Sequence, residues 1–393
     1  MNERSRSILM ARIQTLIQEL DRAKRVVEQI DPDLRYRVRG PFLDLFERYG
    51  EDLYRLQHEV KNAQPLKECW YTFQDTRQKC EPLFRECLAL MQGSLVRRSG
   101  LDNGLCKIAD ALLYDLSSRI NISWGRFTIL AGEEFITDMA EIIRVRFPEV
   151  SIWNLPVAAH EFGHFVGPEL EREISGKHYH PFQDFLAEVG GQDSQAVAFL
   201  HEHFADFFAT YALGPSYACT CILLRFDPWT AYQDKRAHPS DAKRVHWILE
   251  VLNKMDEAEG GVQRSYQGVI GYLRKSWQQS LEVMGQPVPF EERLGKGTIK
   301  QLDEWLRELY FRLGDRVSGV WYRAEDWLRA KRLSKQLLED TPPELKDEHT
   351  LADVLNAAWW SRIQLEGRDS ARVQQIGARA VDFCCKIGGI GND

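Results

Sequence analysis

The chain has 393 residues, 51 Lys+Arg against 58 Asp+Glu for a formal charge of −7, and 44% hydrophobic residues, which excludes wholesale disorder and allows two or three structural units. Its longest apolar clusters, Ala196–Leu200 and Cys219–Leu224, fall far short of the ~18 residues of a spanning helix. Mixed charge signs without a basic stripe argue against nucleic acid, so neither a membrane nor a nucleic acid is an expected partner.

At the N-terminus, Arg12 interrupts the apolar run that follows Met1-Asn2-Glu3-Arg4-Ser5-Arg6, giving an amphipathic helix rather than a signal peptide. Eight dispersed cysteines without paired CxxC spacing read as reduced thiols, and the expected location is cytoplasmic. Leu9, Ile13, Leu16, Leu20, Ala23, Val27 and Ile30 recur in steps of four and three, the seam of one helix. After a break at Asp31-Pro32-Asp33 and Gly40-Pro41 the spacing returns at Phe42, Phe46, Tyr49, Leu53, Leu56, Val60 and Ala63. The basic stretch Arg35–Arg39 between them reads as a solvated loop. Residues 1–95 are therefore expected to form a helical hairpin with a third helix near Cys69–Met91.

Residues 104–119 read as helix, and Ile120–Ala131 as a strand on its β-branched and aromatic content. The spacing of Phe135, Ile136, Met139, Ile142, Ile143 and Phe147 predicts a further helix ending at Pro148. Asn154-Leu155-Pro156 supplies a cap and an early proline for a helix over about 155–167. A second helix, Ser194–Leu213, stops at Gly214-Pro215. A third follows His238-Pro239-Ser240, with Ser240 as N-cap and Val245, Ile248, Leu249, Leu252 and Met255 on one face. The remainder is helical, over about 262–284, 298–313, 316–340 and 350–386. The expected fold is mainly α with minor β: an N-terminal helical arm (1–95), a central core (96–260) and a C-terminal helical region (261–393).

Eight of the ten histidines (160, 164, 178, 180, 201, 203, 238 and 246) lie between residues 160 and 246. There, Ala159-His160-Glu161-Phe162-Gly163-His164 contains H-E-x-x-H. Residues four apart share a helix face, so both imidazoles can chelate one ion while Glu161 is displaced toward a metal-bound water. On zinc such a water is acidified to near neutrality, and a glutamate can take its proton. Such a motif arises by chance about once in fifty chains of this composition, but Pro156, Val157-Ala158-Ala159 and Gly163 make this helix apolar and thin, as burial requires.

A catalytic zinc needs a third protein ligand. Continuation to H-E-x-x-H-x-x-G-x-x-H fails, because Gly167 is present but Leu170 stands where the histidine should be. Downstream, Leu200-His201-Glu202-His203-Phe204-Ala205-Asp206 places Glu202 as third ligand, with Asp206 one turn on to fix the non-ligating nitrogen of His160.

HEFGH at 160–164 followed by E-x-x-A-D at 202–206 resembles the gluzincin branch of zinc metallopeptidases. The resemblance implies a zincin-like catalytic core with two zinc-binding helices: His160, His164 and Glu202 as Zn2+ ligands, Glu161 as general base and Asp206 behind His160. The segment His238-Pro239-Ser240-Asp241-Ala242-Lys243-Arg244 is similar to the HP-plus-arginine element of that branch. It implies a catalytic role for His238 at the developing oxyanion, with Arg244 in support. The resemblance covers about residues 150–250.

Other readings stay open. His201 and His203 compete with Glu202 as third ligand, though about 100° per residue turns each off its face. His178 and His180, in Gly176–Pro181, belong to a lid or a plain loop; His238 is alternatively a turn residue, and His246 a helix-side residue. Tyr211 and Tyr217 are core residues or oxyanion donors. The leading expectation is a zinc-dependent metallopeptidase acting on a protein or peptide substrate inside the cell, its helical arms serving recognition or autoinhibition. The alternatives are a zinc-containing, non-catalytic scaffold or regulatory partner-binding protein, and a metal-free helical interaction protein.

Overall fold

A computed structural model of the chain describes residues 2–28, 32–62, 65–124, 128–131, 135–137, 142–146, 151–174, 177–258, 265–339, 345, 348–365 and 369–390. The expected positions Ile30, Asp31, Ala63, 125–127, Met139, Phe147, Pro148, Gly176, 262–264 and 341–343 lie outside them. Fifteen helices and five strands of three to five residues are described, a mainly α fold with minor β. No helix among the described residues is long and apolar enough to cross a membrane. The eight cysteines are free, and seven are buried. The chain divides into two compact units, Met1–Asp102 with Gly125–Phe147, and Asn103–Trp124 with Pro148–Asp393.

In the first unit, α1 (Asn2–Glu28), α2 (Pro32–Lys61) and α3 (Leu66–Arg98) pack along their apolar stripes. The four-and-three spacing puts Leu9, Ile13, Leu16, Leu20 and Val27 on one face, buried with Phe42, Phe46, Leu53 and Val60 of α2 and with Phe73, Cys80 and Leu90 of α3. Each large stripe residue contributes about 1.5–3 kcal/mol on burial. The expected loop at 35–39 and break at Gly40-Pro41 are instead helical, since α2 runs unbroken from Pro32. Pro32 suits a first turn, and burial of Phe42 and Phe46 against α1 offsets the ~3 kcal/mol of an interior proline at Pro41.

Strands β1 (Thr128–Ala131), β2 (Phe135–Thr137) and β3 (Ile142–Arg146) form a sheet of order β1-β3-β2, parallel between β1 and β3 and antiparallel between β2 and β3. The helix expected from Phe135 to Phe147 does not form. Its spacing also fits two strands, and the β-branched Ile142, Ile143 and Val145 pack in a central strand buried on both faces. Of the strand expected over Ile120–Ala131, Thr128–Ala131 forms β1 and the start does not, because α4 (Leu105–Arg119) ends in a turn closed by Ile122 N to Ser117 O, 3.0 Å. Strand β1 lies so close to α3 that a Cβ on Gly93 would stand 2.6 Å from Leu130 O, and Arg97 Nη1 donates to Thr128 O at 2.8 Å. Truncation at residue 95 therefore cuts through this packing.

The second unit is built around α5 (Val157–Glu169) and α7 (Ser194–Leu213). Between them lie a hairpin of β4 (Arg172–Ile174) and β5 (Lys177–Tyr179), where a loop or lid was expected at His178, and α6 (Pro181–Phe185). Asp193 Oδ1 caps α7, accepting from Gln195 N at 2.9 Å and Ala196 N at 3.3 Å. Helix α7 is apolar nearly all round, as a central helix must be. It ends at Gly214, whose φ of +56° favours glycine, and the chain turns into α8 (Pro215–Thr220).

Helix α9 (Asp241–Ala258) packs on α7. Ser240 does not cap it: its Oγ makes no hydrogen bond among the described residues, while Ser240 N donates to Asp234 Oδ1 at 2.8 Å. Helices α10 (Gln267–Val283), α11 (Phe290–Leu294), α12 (Lys296–Val317), α13 (Ala324–Leu338), α14 (Leu351–Gln364) and α15 (Ser370–Ile387) complete the unit. The single helix expected over 350–386 is thus two, Asp369 capping the second through Arg372 N at 2.9 Å. From α14, Asn356 accepts from Ser216 N at 2.9 Å and donates to Leu213 O at 2.8 Å, pinning the α7–α8 corner.

Candidate metal centre

Helices α5 and α7 touch where their side chains are smallest. A Cβ on Gly163 would lie 3.0 Å from Ala205 Cα and 3.3 Å from Ala205 O. That close approach lets residues on the facing sides of two helices share one ion. Gly163→Val should therefore cost about 1–3 kcal/mol by overpacking and, by prising α5 from α7, weaken metal binding without touching a ligand. Thermal denaturation and metal titration of the variant check both effects, and unchanged metal affinity would count against the dependence on helix spacing.

His160, His164 and Glu202 each bring a ligand atom within 4.8 Å of the others, a group able to hold a metal ion. His160 Nε2 stands 3.5 Å from Glu202 Oε2, and His164 Nε2 stands 3.4 Å from Glu202 Oε1. These are poor hydrogen-bond distances, and Glu202 Oε2 is a buried oxygen with no hydrogen-bond partner among the described residues. Two ligands bound tetrahedrally to one zinc ion, each about 2.0–2.1 Å from it, would be about 3.3 Å apart. Donor set and spacing thus fit an ion better than they fit one another. Glu161 follows His160 on α5 and is also buried.

Behind the group, Asp206 is fully buried and holds four donors. Arg244 gives Nε at 2.8 Å and Nη2 at 2.7 Å, Tyr217 Oη gives 2.5 Å, and His160 Nδ1 lies at 3.1 Å. Tyr217 Oη is also 2.9 Å from His160 Nδ1, with the two rings stacked at 11°. These contacts place the ring proton of His160 on Nδ1 and leave Nε2 facing Glu202. Burial alone would raise the pKa of Asp206, but the Arg244 guanidinium and the hydrogen bonds hold its carboxyl well below the usual range. Burial likewise opposes charge on His160, yet Asp206 and Glu202 overcome it and push the imidazole up to about 9. An ion at Nε2 must then displace the second ring proton and leave the one on Nδ1. Burial opposes charge on Glu202 as well, and His160, His164, His238 and Arg244 together keep it ionised.

The other expected residues sit as follows. His238 is half exposed, with Nδ1 3.1 Å from Glu202 Oε1, at the edge of the group. Arg244 supports Asp206, stacks on Phe226 at 5.1 Å and lies 3.7 Å from Glu202. His201 and His203 are outside the group: the first meets the edge of Phe182, the second packs on Trp247 at 4.4 Å, and burial pushes His203 down to about 3. His178 pairs with Glu171 at the surface, His180 precedes α6, and His246 Nε2 meets Asp303 at 3.0 Å. Tyr211 is a core residue stacked on Phe207 and Trp321. Tyr217 is a buried core residue, as expected, whose hydroxyl also meets Asp206 and His160; the signal for that contact in the sequence is the Gly214-Pro215 corner that starts α8 three residues before it. Set beside protein-family models, curated proteins and solved structures, the chain matches none of them.

Proposed function

We propose that this chain is a zinc-dependent peptidase of the gluzincin type, with His160, His164 and Glu202 as the residues that hold the ion. One observation carries the reading: two imidazoles and a carboxylate meet at ligand spacing on two closely packed helices, with the far nitrogen of His160 already tied to a buried carboxylate. Two imidazoles and one carboxylate suit zinc and match the three-ligand sets that leave a position open for chemistry. When bound, zinc supplies Lewis acidity, lowering the pKa of water and polarising a carbonyl.

The chain's own residues do the rest. Glu161, one step round α5 from His160, holds a proton at its carboxylate between the attack on the peptide carbonyl and departure of the amine. Asp206, Arg244 and Tyr217 keep His160 in one tautomer and one orientation. His238, half exposed beside Glu202, is available to donate to an oxyanion.

The test is Glu161→Gln. The variant should keep one zinc per chain, read by elemental analysis, and lose about 10²–10⁴-fold in turnover, read by comparing the peptides released from a proteome by the two forms. If wild type and variant both hold zinc and release the same peptides, the scaffold reading takes its place. If neither holds zinc, the metal reading itself falls.

A further inference from the structure

A pocket of about 180 Å³ opens between α9, α12 and α7, the helix that carries Glu202. That is below the ~300 Å³ at which drug-sized sites begin, and it suits one side chain. Phe199 on its α7 wall precedes Glu202 by three residues, so the two neighbour each other on one ridge, about 4.5 Å apart along the helix axis. An extended chain advances about 3.3 Å per residue. A polypeptide with a carbonyl at the metal group therefore reaches this pocket with a side chain one or two residues away.

The lining sets the guest's chemistry. Phe199 and Trp305 give aromatic lining, Leu302 and Ala196 aliphatic lining, and Gln195, Thr298 and Gln301 add neutral polar groups. Both charged groups at the rim are already engaged. Lys243 Nζ binds both carboxylate oxygens of Asp234, at 2.9 and 2.7 Å, and Asp193 is the cap of α7. The pocket thus favours a neutral, flat guest. The lining also includes His203, 1% exposed, whose Nδ1 has no hydrogen-bond partner among the described residues. A buried ring nitrogen left unpaired costs about 1–3 kcal/mol, which a guest with a polar tip relieves.

We propose that this pocket is a specificity subsite for a tyrosine side chain of the polypeptide substrate, its ring between Phe199 and Trp305 and its hydroxyl meeting the His203 imidazole. The proposal rests on the peptidase reading above. Its own readout is binding: N-acetyltyrosinamide and N-acetylphenylalaninamide titrated into the zinc-loaded full chain, followed by ligand-detected NMR. The tyrosine amide should saturate one site at least tenfold more tightly than the phenylalanine amide. Ala196→Leu, which fills the pocket, should weaken it at least tenfold; Trp305→Leu, which removes a wall, should do the same; Glu161→Gln should leave it unchanged. Equal binding of the two amides, or tyrosine binding indifferent to both pocket variants, overturns the proposal. In a peptide library, wild-type cleavage should select tyrosine at one fixed position, and Ala196→Leu should lose that selection. Glu161-dependent cleavage without tyrosine selection removes the subsite and leaves the peptidase. Tyrosine binding with no Glu161-dependent cleavage removes the peptidase and with it the substrate role of the pocket.

Discussion

Glu202→Ala is expected to lower zinc affinity more than a hundredfold and to abolish turnover while leaving the chain folded. Protein zinc sites are worth on the order of 10 kcal/mol or more. Shared among three protein ligands, that is at least ~3 kcal/mol each, beyond two decades in affinity. The fold should tolerate the change, because Arg244 keeps its two bonds to Asp206 and the imidazoles of His160 and His164 need no anion when neutral. At zinc a hundredfold above the wild-type dissociation constant, the ion stabilises the wild type by about 2.7 kcal/mol. For a unit of this size that raises the melting temperature by roughly 5–10 °C. The variant at the same zinc gains about 0.4 kcal/mol, roughly 1 °C. Glu161→Gln should keep the full shift. Equal zinc shifts in wild type and Glu202→Ala would remove Glu202 from the ligand set.

What the sequence makes legible here is local. H-E-x-x-H announces itself because helix periodicity alone puts His160 and His164 on one face, and α7 is bounded by residues with single-purpose backbones, Gly214 above all. The stripe of α1 is likewise readable from steps of four and three. Where two periods fit the same residues, the pattern misleads. Phe135, Ile136, Ile142 and Ile143 suit a helix stripe as well as two strands, and only pairing with β1, which no local spacing reveals, decides for strands. The support of His160 is legible in Asp206, one turn after Glu202, but what holds Asp206 is illegible for a different reason. Tyr217 reaches Asp206 because α8 turns back at Gly214 and Asn356, 140 residues further along from Ser216, pins the corner. Arg244 is drawn in from a third helix. The ligands and Asp206 follow from spacing along one chain segment or two; the contacts of Tyr217 and Arg244 with Asp206 come from the tertiary fold.

Those supports carry the largest expected loss of stability, in Asp206→Ala. The Arg244 side chain is mostly buried, and its partner Asp206 is wholly so. Removing one member of a buried, hydrogen-bonded ion pair leaves the other charge uncompensated, at about 3–5 kcal/mol. Here the same deletion also strands the Tyr217 hydroxyl and His160 Nδ1, so the loss belongs at the upper end, with a fall in melting temperature of roughly 10–20 °C. Asp206→Asn keeps the shape and one acceptor oxygen but not the charge, and should lose less. Removing both charges in Asp206→Ala/Arg244→Met should recover stability relative to Asp206→Ala alone, because no buried cation is then left unpaired. The sign of the pH dependence follows from the depressed pKa of Asp206. The ionised form binds fewer protons folded than unfolded, so its contribution is fully present above roughly pH 4 and fades as pH falls through the lower folded value. That part of the gap between wild type and Asp206→Ala should accordingly be constant down to about pH 4 and narrow below it, while the part that comes from Asp206 raising His160 is present below about pH 6.5 and is lost as pH rises toward 9. If the double variant is no more stable than Asp206→Ala, the stranded Arg244 charge is not the source of the loss.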